Sequence, residues 1–227
     1  MNNLIQLSNL NKSFVIEKKV NVLKKINYKF KKGKIYSLVG PSGSGKSTLL
    51  NILSLIDRPS KGSIIIDRKK IDFEKNIEND KIRSNNFGII YQEKNLLSDF
   101  TAIENISIAG IANGKSFVET EKLSYKIIKK LKLQNRSNHF PSQLSGGENQ
   151  RIAIGRALIN SPNIIIADEP SGNLDHKSSK EFFKLLFNLR TKNRIIIYAT
   201  HNRYFANLAD CRLQLINGKL KSINARK

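Results

Sequence analysis

The sequence predicts an α/β protein built on a mainly parallel β-sheet. Short apolar segments of strand length alternate with segments of helical periodicity along most of the 227 residues. Strands that alternate with helices favour crossover connections and hence parallel pairing. A glycine-rich stretch stands directly between one of these strands and the helix after it. A chain of this length can bury a core of this class as one domain.

The first part of the chain is rich in predicted strands. Residues 5–7 form a short apolar segment, and residues 20–30 alternate between apolar and polar side chains, which is typical of a half-buried strand. A turn at Gly33 leads to a buried strand at 35–39, and a helix is predicted from Lys46 to Leu55. Pro59 and Gly62 indicate a loop. Further strands are predicted at 63–66 and 87–91.

The middle of the chain has a different pattern and predicts a helical insert. Leu123, Ile127, Ile128 and Leu131 fall on one helix face, and a loop is expected at 110–116. Beyond it, strands and helices alternate again before a closing hairpin at Asn217-Gly218. We therefore predict one domain, with an α/β core at 1–95 and 141–227 and a helical subdomain at about 96–140. Predicted helices lie at 148–160, 177–189 and 203–208, and predicted strands at 163–167 and 194–199.

The composition indicates a cytosolic chain. Hydrophobic residues make up 39%, and no apolar stretch approaches the roughly 18 residues of a membrane span. The N-terminus lacks the basic-then-apolar layout of a secretory signal. The single cysteine, Cys211, excludes an internal disulfide and a multi-cysteine metal site.

The net charge of +22 has two interpretations. A basic protein can bind nucleic acid or the anionic leaflet of a membrane. The same charge also arises from a composition rich in Lys, Ile and Asn, and the basic residues are dispersed along the chain, as on a solvated surface. Charge alone does not choose the partner.

The glycine-rich stretch matches the phosphate-binding pattern G-x-x-x-x-G-K-[ST] in its strand–loop–helix context. Glycines let successive backbone N–H groups point at phosphate oxygens, and the helix start favours negative charge. Lys46 is predicted to bind the β- and γ-phosphates, and Ser47 to supply a hydroxyl to Mg²⁺. The predicted nucleotide ligands are Gly40, Pro41, Ser42, Gly43, Ser44, Gly45, Lys46, Ser47 and Thr48.

Polar side chains follow three of the predicted strands. Asp168 and Glu169 end an apolar strand, where Asp168 can bind Mg²⁺ and Glu169 can polarise the water that attacks the γ-phosphate. Gln92 could reach Mg²⁺ or this water, or be an ordinary polar residue after a strand. His201 follows the last parallel strand and could contact the γ-phosphate, or be structural.

A second helix start carries the sequence Leu144, Ser145, Gly146, Gly147 and Glu148. Ser145 followed by Glu148 matches a capping box, which is the structural interpretation. The paired glycines indicate a second anion site at a helix start. Since the first loop already surrounds the γ-phosphate, this helix would serve a nucleotide held by a second copy of the chain.

These segments resemble the ATPases of ABC transporters over essentially the whole chain. In the order of that family, they are a Walker A loop (40–48), a Q-loop (Gln92), an LSGGE signature (144–148), a Walker B strand (164–168) with Glu169, a D-loop (171–175) and an H-loop (His201). The resemblance implies a P-loop NTPase fold with an N-terminal antiparallel β subdomain and the helical insert. It also implies a head-to-tail homodimer with ATP and Mg²⁺ between Walker A of one copy and the signature of the other.

The resemblance also implies individual roles. Phe14 would stack on adenine, where the family usually has Tyr. Ser145, Gly146 and Gly147 would hold the γ-phosphate bound by the partner chain, and Asp175 would act at the dimer seam.

Three segments, 40–59, 91–105 and 171–175, resemble the group that contains lipoprotein-releasing, macrolide-exporting and cell-division ATPases, and the run 96–105 is most similar to the lipoprotein-releasing type. Ser98, Asn149 and Asn202 depart from the group's pattern and leave the choice of cargo open. The resemblance implies transmembrane permease subunits as partners, a peripheral position at the cytoplasmic face of the inner membrane, and no nucleic acid. The alternatives are an exporter or cell-division ATPase, an ABC ATPase that acts on nucleic acid, and a P-loop kinase.

Overall fold

The computed structural model describes residues 3–15, 17–92 and 95–223. These residues form two compact units. The first unit comprises the chain up to residue 83 and from residue 190 onward, and the second comprises residues 84–189. The predicted boundaries of the helical subdomain, 96 and 140, lie inside the second unit and remain a prediction.

The first unit begins with a four-stranded antiparallel sheet. Its strands are β1 (Asn3–Val15), β2 (Lys19–Lys31), β4 (Lys61–Ile66) and β5 (Lys69–Lys70), in the order β2-β1-β4-β5. β1 is much longer than the predicted segment 5–7, because register shifts at 7–13 break the alternation of apolar residues. Asn9 has a positive φ at one shift, and its N–H donates to Asn27 Oδ1 at 2.8 Å.

The remaining strands of the first unit are mainly parallel. They are β3 (Ile35–Val39), β8 (Ile195–Ala199), β9 (Cys211–Ile216) and β10 (Lys219–Ile223), in the order β10-β9-β3-β8. β3 is parallel to β8 and β9, and β10 returns antiparallel to β9. The carboxyl ends of β3 and β8 therefore lie side by side. The helices of this unit are α1 (Lys46–Leu53), α7 (Arg203–Ala206) and, up to residue 83, α2 (Asn76–Asn86).

The second unit packs helices with a pair of parallel strands, β6 (Phe87–Ile90) and β7 (Ile164–Asp168). Short 3-10 helices lie at Gln134–Arg136 and Pro141–Gln143. In the four α-helices, the first turn donates backbone N–H hydrogen bonds to the side chain of the N-cap residue, which is Thr101, Ser116, Ser145 or Asp175. The α-helices are α3 (Ala102–Ile111), α4 (Phe117–Lys130), α5 (Gly146–Leu158) and α6 (His176–Asn188).

The predicted fold class is confirmed: an antiparallel N-terminal sheet is combined with mainly parallel strands and helices. The sequence did not predict α2, because this helix is mostly polar and Asn79 is its one buried residue among those described. Its apolar periodicity is therefore too weak to detect. Within the described ranges, no helix combines the length and the apolar character that crossing a membrane requires.

The positive charge is unevenly divided between the two units. Basic residues far outnumber acidic ones in the first unit, whereas the two kinds are nearly balanced in the second. The basic residues are dispersed along the sequence, but their excess over acidic residues is concentrated in the unit that carries the phosphate-binding pattern.

Candidate nucleotide-binding and hydrolysis site

The phosphate-binding loop joins β3 to α1 in the first unit. Gly43 and Gly45 have φ of +73° and +97°, in the left-handed region that favours glycine. A Cβ on Gly45 would lie 2.7 Å from Val22 Cγ1, and one on Gly40 would lie 2.3 Å from the Leu215 carbonyl oxygen. The sequence pattern therefore reflects backbone geometry that other residues cannot adopt here.

Two side chains of this loop hold polar groups that a phosphate would satisfy. The Lys46 ammonium donates to the carbonyl oxygens of Gly40 and Pro41, at 3.0 and 3.2 Å, and so lies across the loop. Ser44 Oγ is buried, and no hydrogen-bond partner for it exists among the described residues. Buried polar groups normally have partners, so this arrangement fits an anionic ligand at the loop.

Ser47 and Thr48 lie in the first turn of α1, and Pro41 and Ser42 are exposed in the loop. The N-cap position of α1 is Gly45, which makes no side-chain cap. The first N–H groups of the helix thus receive no side-chain acceptor from the N-cap residue. This helix start can accept negative charge from a ligand.

His201 lies near the loop in the topology of the first unit. Leu38 near the end of β3 pairs with Ala199 at the end of β8, and the Thr200 N–H donates to the Leu38 carbonyl oxygen at 3.1 Å. His201 directly follows Thr200 and is exposed. Asn202, one of the three departures from the group's pattern, forms the N-cap of α7, which gives it a local structural role.

Phe14 lies near the end of β1 and is 39% exposed. The Lys12 ammonium lies 4.8 Å from the centre of its ring, and this ammonium also pairs with Asp57 at 2.6 Å. The ring is therefore held in place while part of its surface stays open, which suits stacking on a base.

In the second unit, β6 and β7 bring the predicted catalytic groups to one edge. Ile90 pairs with Ala167, so Gln92 and the acidic pair Asp168-Glu169 follow the adjacent carboxyl ends of parallel strands. A Cβ placed on Gly172 would lie 2.9 Å from Gln92 Nε2, which places the amide against the D-loop. Glu93 and Lys94, within the resemblance segment 91–105, lie outside the described residues.

The backbone turns sharply at Glu169. Its φ is +42°, which costs a non-glycine residue about 1–3 kcal/mol. Its carbonyl oxygen accepts from the Gly172 N–H at 3.0 Å. This turn sets the direction of the Glu169 side chain at the end of β7, and strain of this kind is concentrated at functional sites.

Asp175 of the D-loop forms the N-cap of α6. Its carboxylate accepts hydrogen bonds from the backbone N–H groups of Lys177 and Ser178 and from Ser178 Oγ at 2.5 Å. These hydrogen bonds, first that from the Ser178 hydroxyl, lower the pKa of Asp175. The side chain thus has a structural role within the chain, and its role at a dimer seam remains a prediction.

The predicted capping box at the signature is present. Ser145 Oγ accepts from the Glu148 N–H at 3.2 Å, and the Glu148 carboxylate accepts from the Ser145 N–H at 2.8 Å. Leu144 is buried. Asn149, another departure from the group's pattern, donates to the carbonyl oxygens of Pro141 and Leu144, and this stabilises the chain just before α5.

Gly147 has room for a side chain within its own chain. The nearest atoms to a Cβ placed there are Ser178 Oγ and Cβ, at 3.7 and 3.8 Å, which is ordinary van der Waals distance. Its φ lies outside the left-handed region. Neither packing nor backbone conformation in the described chain explains the glycine at this helix start.

Three residues that the sequence analysis did not single out support the second unit's site. Asn105 is fully buried, and its amide binds backbone groups of Leu97, Phe100 and Thr101. Arg156 of α5 donates to the Asn95 carbonyl oxygen at 2.6 Å. Arg136 lies against Glu148, with 3.3 Å between Nε and Oε1. The contacts of Arg156 and Arg136 join residues 61 and 12 positions apart, so no local pattern could have predicted them.

The predicted site residues are divided between the two units. The first unit carries Phe14, the loop 40–48 and His201, and the second carries Gln92, the signature 144–148, Asp168, Glu169 and Asp175. The loop 40–48, the acidic pair and the second helix start remain the groups predicted to take part in nucleotide hydrolysis.

Comparisons with known proteins agree with these groups. The family model described as ABC transporter matches residues 23–172. The chain is 42% identical over 224 residues to the lipoprotein-releasing system ATP-binding protein LolD of Buchnera aphidicola subsp. Schizaphis graminum, covering 97% of this chain and 98% of that protein. It is 41% identical over 208 residues to the macrolide export ATP-binding/permease protein MacB of Bartonella quintana, covering 92% of this chain and 32% of that protein.

A solved structure is similar over the whole chain. It is a dimeric ATP-binding cassette in a post-hydrolysis state, bound to ADP and Pi, with a TM-score of 0.89 and 35% identity over 99% of this chain and 100% of that one. These matches confirm the resemblance that the motifs indicated. The chain belongs to the ABC transporter family, and it is one of the ATP-binding, ATP-hydrolysing subunits of that family.

Proposed function

We propose that the chain works as a homodimer that binds two ATP molecules between its copies and drives transmembrane permease subunits. In each site, the loop 40–48 of one copy and the signature 144–148 of the other bind the same nucleotide. The observation that carries this proposal is the open space at Gly147. The first turn of α5 has a glycine here, although the chain itself leaves room for a side chain. The similar structure of a dimeric cassette bound to ADP and Pi supports it.

The groups within each site divide the work. Lys46 and the loop N–H groups bind the β- and γ-phosphates, and Phe14 stacks on adenine. Glu169 accepts a proton from the attacking water. His201 contacts the γ-phosphate, and Gln92 reaches Mg²⁺ or the attacking water. Asp175 acts at the seam between the copies.

A magnesium ion fits the donors that the chain offers. Ser47, Gln92 and Asp168 supply oxygen atoms, which are the ligands that Mg²⁺ prefers. No group of three or more His, Cys, Asp or Glu that could hold a metal occurs in the part of the chain that the structure describes, and Mg²⁺ is commonly bound by one or two protein groups together with phosphates. Bound there, the ion would neutralise charge that develops on the phosphates.

The cycle follows from these contacts. The γ-phosphate bridges a cationic loop in one copy and a helix start in the other, so ATP closes the dimer. Hydrolysis removes that bridge, and the copies separate. In this proposal the alternation is transmitted to the permease, and the chain stays peripheral at the cytoplasmic face of the inner membrane.

The transported cargo is proposed to be lipoproteins released from the inner membrane. The relative from Buchnera aphidicola is a lipoprotein-releasing system protein, and the run 96–105 is most similar to that type. The same group contains exporters, as the macrolide export relative illustrates, so export is the second candidate of the same class.

Purification with the native membrane partner tests the proposal. The tagged chain, extracted from membranes in a mild detergent, is expected to retain a polytopic permease. After reconstitution in proteoliposomes, acylated lipoprotein is expected to stimulate ATP hydrolysis, whereas unacylated lipoprotein and a macrolide are not. Stimulation by the macrolide alone would transfer the assignment to the exporter type.

Replacing Lys46 by alanine is expected to weaken ATP binding. The change removes the cation that lies across the loop, and a charge-assisted contact contributes about 1.5–3 kcal/mol, or roughly ten- to a hundredfold in affinity. Fluorescent-nucleotide titration of the variant measures this. Lys61→Ala, which removes an exposed lysine of β4 outside the loop, is the control, and equal nucleotide affinity in the two variants would contradict the role of Lys46.

The nucleic-acid alternative rests on the basic first unit. An ABC ATPase that contacts nucleic-acid phosphates must bind with steep salt dependence. We expect no gel shift of duplex DNA or RNA at physiological salt, and a shift that persists there and weakens steeply at higher salt would favour this alternative.

A further inference from the structure

Arg136 lies beside the signature helix, and the proposed function assigns it no role. Arg136 ends a 3-10 helix, and its Nε donates to Glu148 Oε1 at 3.3 Å, while its Nη1 lies 3.1 Å from His139 Nε2. Its side chain is about half exposed, and that of Glu148 is 24% exposed. The ion pair therefore lies at the edge of the helix start rather than in the core.

The turn that carries Arg136 is anchored to another helix. The carbonyl oxygens of Ser137 and His139 accept from the N–H groups of Ile103 and Ala102, at 2.9 and 2.8 Å, in the first turn of α3. α3 packs on α5, where a Cβ on Gly155 would lie 2.6 Å from Ile106 Cδ1. Arg136 is thus presented to Glu148 from a fixed position.

The charge of Glu148 creates a problem at this helix start. The capping box brings a carboxylate to the site where the proposed function places the γ-phosphate of the partner chain. The hydrogen bond from the Ser145 N–H, together with the Ser145 hydroxyl and Arg136, lowers the pKa of Glu148, so the carboxylate is ionised at neutral pH. A phosphate approaching it is repelled unless a cation offsets this charge.

We infer that Arg136 is a positioning residue that neutralises Glu148 and so lets the signature helix start receive the γ-phosphate of ATP bound by the partner chain. Glu148 in turn engages both the N–H and the hydroxyl oxygen of Ser145. The inference rests on the proposed nucleotide site between copies.

Replacing Arg136 by alanine is expected to raise the ATP concentration for half-maximal hydrolysis about two- to fivefold, with the maximal rate changed by less than about twofold. In this variant the Glu148 carboxylate repels the γ-phosphate electrostatically. Added salt screens this repulsion, so it is expected to bring the half-saturating ATP concentration of the variant closer to that of the unaltered protein. Arg136→Lys, which keeps the charge, is expected to retain most of the affinity. Steady-state hydrolysis as a function of ATP concentration and ionic strength measures all three results.

The decisive variant is Arg136→Ala combined with Glu148→Gln. Glutamine preserves the capping box but carries no charge, so it is expected to return the half-saturating ATP concentration close to that of the unaltered protein. A purely structural role of Arg136 predicts no such recovery, and that result would overturn the inference. Arg58→Ala removes an arginine from another exposed ion pair, with Glu74 at 3.5 Å, and is the control for loss of a surface charge.

ATP hydrolysis and ATP-driven dimerisation of a further variant distinguish a failure of this inference from a failure of the proposed function. Ser145→Phe places a bulky ring at the helix start and is expected to abolish ATP-driven dimerisation. If Ser145→Phe leaves dimerisation and hydrolysis intact, the nucleotide site between copies is wrong. If Ser145→Phe is inactive while Arg136→Ala matches the unaltered protein, the site stands and the role of Arg136 is wrong.

Discussion

Replacing Glu169 by glutamine is expected to abolish turnover while ATP binding persists. Glutamine keeps the size of the side chain and can adopt the same strained turn at φ +42°, but it cannot accept the proton of the attacking water. A positioned general base contributes about 10²–10⁴-fold to the rate. Since the γ-phosphate is no longer removed, the bridge between the copies persists, and an ATP-bound dimer accumulates.

Two measurements check the Glu169→Gln variant. Phosphate release under saturating ATP and Mg²⁺ gives the rate, and size-exclusion chromatography with ATP gives the dimer fraction. Glu181→Gln is the matched control, because it neutralises an exposed carboxylate of α6 that pairs with Arg151 at 2.9 Å in the same unit. Hydrolysis by Glu169→Gln at the rate of this control would remove Glu169 as the base.

Replacing Gly147 by alanine is expected to change stability and activity in opposite directions. Alanine is the better helix former, by up to about 1 kcal/mol in a helix interior, and the chain leaves room for its methyl group. The melting temperature is therefore expected to be equal or higher. The methyl group would occupy the space that the γ-phosphate needs at the helix start, and loss of preorganised donors costs about 10²–10³-fold in rate.

Thermal unfolding and ATP hydrolysis of Gly147→Ala test this prediction together. The Ser178→Ala background distinguishes the two sources of crowding, because Ser178 supplies the nearest atoms of the same chain. If the methyl group clashes within the chain, removing the Ser178 hydroxyl restores activity, and the approach of a nucleotide from a second copy loses its support. If the clash is with nucleotide, activity stays low in that background.

The local motifs carried the prediction of the site. Gly43 and Gly45 occur in a contiguous pattern, and the structure gives both a positive φ. The capping box of Ser145 and Glu148 was likewise predictable from a spacing of three residues. Motifs of this kind can be recognised in the sequence because each depends on neighbours within one turn or one loop.

Longer-range features were not predictable from periodicity. β1 was predicted at 5–7 because its bulges, with Asn9 held by Asn27, interrupt the alternation that identifies a strand. α2 was missed because it is mostly polar, its Ile77 is exposed, and Asn79 is its one buried residue among those described. In β1, pairing with the neighbouring strands rather than local propensity selects the conformation.

The sequence by itself determined the class of fold and the family, and it predicts the residues that carry the chemistry, since these lie in short contiguous motifs. Only the tertiary structure decided that Arg136 faces Glu148, that Arg156 holds the Asn95 backbone and that Gly147 is left uncrowded. Those contacts join residues far apart in the chain, and their geometry exists only after the helices and strands have packed.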